Sequence, residues 1–251
     1  MSKLPKVTLI FWVMKIAATT LGETAGDLVS MTLKVGYAVS SLILISLFLV
    51  AVVAQLKATK YYPALYWTVI LATSTAGTTM SDYMDRTLGL GYAKGSLVLV
   101  SILAAVFTIW RFTADSFSVQ NVRTFKVELL YWTAILFSNT LGTALGDFLA
   151  DSSGLGFMGG ALLIGSLLVV IVVLAFRTTL SKTLLFWIAF VLTRPFGATM
   201  GDVLTRPRAR GGLGVGTIGS SAILGAVLVA LVVYAMRQER RARAAPAVAA
   251  A

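Results

Sequence analysis

Four aspartates, Asp27, Asp82, Asp147 and Asp202, each stand fifteen residues after a tryptophan, Trp12, Trp67, Trp132 and Trp187, inside strongly apolar segments. The chain is therefore a fourfold repeat with one carboxylate per unit in or at the edge of hydrocarbon. An ionised carboxylate near the middle of a membrane helix costs about 2.5–3.5 kcal/mol, so four oppose insertion by roughly 10–14 kcal/mol unless a partner neutralises them. Any fold of this chain must supply that partner, and a cation is the simplest one.

The segments themselves leave little choice of solvent. With 58% hydrophobic and 12% charged residues in 251 and a mean hydropathy of +0.88, there is too little polar surface to cover a soluble globule. Eight apolar stretches can be marked, at 7–31, 35–56, 63–84, 90–110, 128–149, 155–176, 182–204 and 213–236. Each is long enough to cross about 30 Å of hydrocarbon at about 1.5 Å per residue. Helices satisfy their own backbone in lipid, so the expected fold is an all-α integral membrane protein of eight transmembrane helices. No cleavable signal peptide is expected, because the first stretch is long and carries Glu23 and Asp27.

Charge sets the expected orientation. Thirteen Lys and Arg flank the spans on the side of the N-terminus, against six on the other side. By the positive-inside rule both termini are cytoplasmic. The net charge of +11 is thus distributed as membrane flanks, and nucleic-acid binding is not expected. Residues 237–251 read as a basic, disordered cytoplasmic tail, and 1–251 as a single membrane domain.

Aligning the tryptophans exposes the unit: Thr20-Leu-Gly22-Glu23-Thr24-Ala-Gly26-Asp27 in the first repeat, and Thr140-Leu-Gly142-Thr143-Ala144-Leu-Gly146-Asp147 in the third. The second has Ser81 where the others carry Gly before Asp, and the fourth has Pro195 in place of Thr. A second element follows nine residues after Asp in three repeats, at Gly36-Tyr37, Gly91-Tyr92 and Gly156-Phe157; the fourth is read as delayed by three, at Gly214. The repeats run over about 7–56, 63–110, 127–176 and 182–236. Each reads as a helical hairpin, and an even number of spans per unit gives all four the same orientation. Parallel units are related by an axis along the membrane normal. Pseudo-fourfold symmetry follows, with the odd spans either lining the axis or each packed against its own partner.

Positions 8, 12 and 15 after Trp share one helix stripe. They place Thr20 and Thr24 below Asp27, Thr75 and Thr79 below Asp82, Thr140 below Asp147 and Thr199 below Asp202. Repeated around an axis, these oxygens would line a path, widened at position 11 by Glu23. The tryptophans read as interface anchors, and the Gly-x-x-x-Gly pairs as close-packing surfaces. Lys15 and Arg194 also lie within spans and are expected to act as counter-ions or gates for the acids. Carboxylates held this close would titrate as a coupled set.

The unit, with Gly-x-x-x-Gly-Asp followed by Gly-Leu-Gly-Tyr, resembles a bacterial membrane-protein family built from four copies of a repeat of unknown function. The resemblance covers about residues 8–236 and implies a multi-pass protein of the bacterial cytoplasmic (inner) membrane, with no activity attached.

Function must then be read from the residues. Cysteine and histidine are both absent, which excludes disulfides, thiolate or imidazole metal sites and histidine-dependent triads. The expectation is a channel or secondary transporter for a hard inorganic cation, such as Mn, Mg or Ca, or for Na or protons. Asp27, Asp82, Asp147 and Asp202 would be the metal ligands, with Glu23 as an asymmetric fifth donor. No organic cofactor is expected, and the partners are the lipid bilayer and the cation. The alternative is a non-transporting scaffold or sensor whose buried carboxylates lock helices together. An enzyme is not expected, since Glu23 and Asp27 could pair as acid and base but no nucleophile accompanies them.

Overall fold

The structure, a computed structural model of the chain, describes residues 3–114, 117, 122 and 124–244. Those residues form eight α-helices and no strand: α1 (Leu9–Asp27), α2 (Tyr37–Lys57), α3 (Pro63–Asp82), α4 (Gly91–Thr113), α5 (Phe125–Asp147), α6 (Gly156–Arg177), α7 (Lys182–Thr205) and α8 (Gly216–Ala244).

Local chemistry sets the helix ends. Thr8, Thr124 and Ser181 accept from backbone amides three residues on and so cap α1, α5 and α7, while α3 opens with Pro63. Three of the four aspartates end their α-helix and lead into a five-residue π-turn, Leu28–Thr32, Tyr83–Thr87 and Phe148–Ser152. Each π-turn then closes with an i→i+5 bond, from Leu33 N to Leu28 O (2.8 Å), Leu88 N to Tyr83 O (2.9 Å) and Ser153 N to Phe148 O (3.0 Å). Such π segments occur often at functional sites. The fourth unit differs, because α7 runs past Asp202 to Thr205 and a 3-10 turn, Arg208–Arg210, follows.

Two left-handed residues, two positions apart, lie at the entry to each even helix: Lys34 and Gly36, Gly89 and Gly91, Gly154 and Gly156, Gly214 and Gly216. This conformational register corrects the sequence alignment of the fourth unit. The counterpart of Gly36 is Gly216 rather than Gly214, so the connection after Asp202 is five residues longer than the others, not three.

The odd helices make a closed ring, α1 against α3 and α7, and α5 against the same two. The even helices sit outside it. Here the hairpin expectation gives way: α2 packs on α3, α4 on α5, α6 on α7, and α8 returns to α1. Each repeat thus lends its second helix to the next repeat, and α8 closes the circle.

Five helices, α2, α4, α6, α7 and α8, are long and apolar enough to cross a membrane. The other three carry too many hydroxyls, glycines and carboxylates for that measure, and those residues are buried. The apolar windows of α2, α4, α6 and α8 are at most 33% buried, against 61% for α7. Apolar surface faces outward and polar groups face inward, the reverse of a soluble domain. Helix α8 continues through Arg237 to Ala244, where the sequence predicts a disordered tail; residues 245–251 lie outside the described residues.

The tryptophans also depart from expectation. Trp67, Trp132 and Trp187 are at most 7% exposed. They belong to an enclosed aromatic cluster in which Trp187 lies 5.6 Å from Trp110 and Trp132 lies 5.1 Å from Tyr131. An aromatic ring at a helix end can satisfy an interface or an interior equally, and this ring of four helices offers an interior.

Candidate functional site

Glycines allow the ring to close. A Cβ on Gly22 would collide with Ser74, one on Gly77 would lie 3.0 Å from the Asn139 backbone, one on Gly142 would collide with Arg194, and one on Gly197 would sit 2.5 Å from Thr19 Oγ1. In all four cases the glycine ten residues after Trp meets the residue seven after Trp in the next unit. The contact runs around the ring in one sense and returns from α7 to α1.

This contact fixes what lies inside. Three residues after each Trp stand Lys15, Ile70, Ile135 and Phe190, all 0% exposed. One turn further come Thr19, Ser74, Asn139 and Arg194, again all 0% exposed. Glu23, Thr78, Thr143 and Ala198 form the next layer, and the aspartates close the stack. Contacts cross the ring: Lys15 Nζ of α1 donates to Asn139 Oδ1 of α5 (3.5 Å) and lies 4.0 Å from the Phe190 ring of α7.

Arg194 fills the centre. Its Nη2 donates to Glu23 Oε2 (3.0 Å), Thr143 Oγ1 (2.7 Å), Thr78 Oγ1 and Ser74 O, and Nη1 donates to Thr19 O. One guanidinium thereby ties α7 to each of the other three ring helices. Thr78 and Thr143 also donate to Glu23 Oε2, at 3.2 and 3.4 Å. A buried charge pair persists only with such additional hydrogen bonds, because desolvation offsets most of the Coulomb attraction. The interior is packed at this level, not an open pore.

Above it the aspartates meet two more arginines. Arg86 lies 2.9 Å from Asp82 Oδ1 and 3.0 Å from Asp147 Oδ2, and Arg206 donates to Asp202 Oδ1 at 2.8 Å. The two guanidinium-bearing side chains are 27% and 20% exposed, the carboxylates no more than 4%, so the arginines roof the acids. The side chain of Asp27, a residue 5% exposed, makes no ion pair or hydrogen bond among the described residues. Glu23, Asp147 and Asp202 each offer an oxygen within 4.8 Å of the others. A calcium ion with oxygens at about 2.3–2.6 Å spans about 4.6–5.2 Å between opposite ligands, and a magnesium ion with oxygens at about 2.0–2.1 Å spans about 4.0–4.2 Å. Each of these three acids commits one oxygen to an arginine, leaving the second free of hydrogen bonds among the described residues. Five carboxylates against Arg86, Arg194 and Arg206 leave two formal negative charges in excess, with Lys15 two turns lower.

A family model described as a Repeat of Unknown Function (DUF347) matches residues 10–61, 65–116, 130–181 and 185–241. The chain belongs to this family. The fourth DUF347 match is five residues longer than each of the others, in agreement with the longer connection after Asp202. No curated protein and no solved structure matches the chain.

Within the DUF347 units the threonines selected from sequence divide away from the acids. Thr20, Thr75 and Thr140 donate to the carbonyls of Ile16, Leu71 and Leu136 in their own helices. Thr24 bonds Leu21 O and accepts from Ser221 of α8 (2.9 Å), Thr79 bonds Ala76 O, and Thr199 bonds Pro195 O with its methyl toward Gly160. The interior stripe is therefore 3, 7, 11 and 15 after Trp, and at position 12 Thr24 and Thr199 face α8 and α6. Arg194 and Glu23 come together; Lys15 joins Asn139 and Phe190 instead of an acid. From the sequence Arg86 and Arg206 are read as flanking charges, Arg206 also as part of the basic turn through Arg210 that a scaffold could offer to a partner. Their signal is nonetheless present, since each follows a ring aspartate by four residues, the spacing of a helical ion pair.

Proposed function

We propose that the protein is a secondary transporter for a hard cation, with Glu23, Asp147 and Asp202 as its principal ligands and Asp27 and Asp82 completing the acidic chamber. The observation that carries this reading is the buried group of three carboxylate oxygens within 4.8 Å, each acid having one oxygen uncommitted. Two excess negative charges suit one divalent ion or two monovalent ones, and oxygen-only donors suit Ca, Mn or Mg. Asp27 adds a carboxylate without a fixed partner.

In this reading all eight helices span the bilayer as four parallel repeats with pseudo-fourfold symmetry. The closed ring of α1, α3, α5 and α7 supports it, as does the recurrence of one glycine contact around that ring. Both termini are cytoplasmic and the acids lie toward the opposite face. The packed layers around Arg194 and Lys15 argue for alternating access over a continuous channel. Entry would pass the Arg86 and Arg206 roof, and release would require Arg194 to leave Glu23. Uphill movement would draw on an ion gradient, since no nucleotide motif is present.

Flux into proteoliposomes tests the proposal with Ca, Mn, Mg and Na, comparing the wild type with Asp147→Asn and Asp202→Asn. Cation-selective flux that is lost in both variants is expected. Equal flux in wild type and the double variant overturns the site.

A further inference from the structure

A cavity lies at the opposite end of the bundle from the acids, between the N-terminal turns of α1 and α3 and the C-terminal half of α8. It has a volume of about 680 Å³, within the range of small-molecule sites. Its floor is Phe11, Met14 and Trp67, all buried, and its rim carries Lys6, Lys60 and Tyr61. Glu239 also reaches the rim, beside Tyr61.

The repeat explains why space is left here. Nineteen residues after the left-handed glycine that opens each even helix stand Gln55, Trp110, Ala175 and Ala235. Gln55 and Trp110 are at most 1% exposed and fill the joint with the next unit. At Ala175 the joint is packed by Trp12 together with Ile171 and Leu185. Among the described residues no such side chain enters at Ala235, and the cavity is the result.

We infer that this cavity binds an anionic phospholipid, with an acyl chain against Phe11, Met14 and Trp67 and the headgroup between Lys6 and Lys60. Three features select that occupant. The floor is apolar and the rim is net basic, Lys6 and Lys60 against Glu239, the polarity of a phospholipid. The outward face of the adjoining α8 is apolar, so a chain can enter sideways from hydrocarbon. Arg237, Arg240 and Arg241 stand exposed on the other face of the same end of α8, where an anionic headgroup layer would meet them. Basic pockets between membrane helices bind anionic headgroups on this principle. The lipid would pin α8 to α1, the contact that closes the ring. This inference is independent of the cation reading.

The test uses the full chain purified in a neutral detergent, with melting temperature and native mass spectrometry read against added phosphatidylglycerol, phosphatidylcholine and oleate. Wild type should retain phosphatidylglycerol at one lipid per chain and melt several degrees higher with it than with phosphatidylcholine. Ala235→Trp, which supplies the side chain that Trp110 provides in the second unit, should remove both effects. Lys6→Gln with Lys60→Gln should abolish the preference for phosphatidylglycerol while leaving the cavity, and serves alone if the Trp variant does not fold. Equal shifts with both phospholipids, an unchanged response in the lysine variant, or stabilisation by oleate alone overturns the proposal.

Discussion

Replacing Arg194 with Met removes the positive charge that pairs with Glu23. Glu23 is 3% exposed and accepts from Arg194 at 3.0 Å, so the variant leaves a buried carboxylate with only two threonine hydroxyls. Breaking a buried pair from one side costs about 3–5 kcal/mol. For a chain of this size about 2–4 °C of melting temperature accompanies each kcal/mol, giving a drop of roughly 6–20 °C. Glu23→Gln alone strands the arginine and should cost a comparable amount. The double variant has neither charge to strand, while the carboxamide that replaces the Glu23 carboxylate can still receive the Thr78 and Thr143 hydroxyls. It should lie within about 1–2 kcal/mol of wild type, so the two changes are coupled by about 4 kcal/mol or more. Tryptophan-monitored thermal unfolding in detergent reads all four corners of the cycle. A double variant as unstable as the sum of the singles would refute the claim that this pair organises the centre.

Other outcomes follow from the same geometry. Gly77→Val should lower stability by about 1–3 kcal/mol through overpacking against α5, whereas Gly225→Ala, with open space around its Cβ, should raise it by about 0.4–1 kcal/mol; thermal melts of the two variants decide. Lys34 holds φ +55° where the other units have glycine, so Lys34→Gly should be neutral or stabilising by up to about 1 kcal/mol in the same assay. Asp27→Asn removes a carboxylate that has no ion pair and should melt within about 1 kcal/mol of wild type, while Asp202→Asn strips Arg206 of its partner and should melt lower.

How much of this is legible in the sequence depends on the residue. The fourfold unit and the glycine contacts can be read because Trp, Gly and Asp recur at fixed spacing, and a glycine at a crossing is demanded by sterics. Of the stripe expected from the sequence, positions 11 and 15 are found inside, while position 7 is observed in place of 8 and position 12 turns away from the interior. Oxygen-bearing residues stand at both 7 and 8, and at both 11 and 12, after Trp. Adjacent positions differ by only about 100° on a helix of 3.6 residues per turn, so composition alone does not choose between them. The glycines at position 10 decide, but only once it is known that their neighbours are the residues at position 7. The lending of each even helix to the next unit is hidden for a related reason. An apolar helix carries the same pattern whichever ring helix it covers, and α2 covers α3 because the turn after Asp27 directs it there. Lys34 and Gly214 illustrate a third limit: backbone conformation aligns the fourth unit where residue identity does not.

The most direct test of the proposed chamber is the melting temperature of the purified protein titrated with Ca, Mn, Mg, Na and K salts, each repeated with Asp147→Asn. The account predicts a saturable rise for a hard divalent cation that disappears in the variant, as linkage requires of a ligand bound only by the folded state. No shift with any cation, or an equal shift in Asp147→Asn, would contradict it.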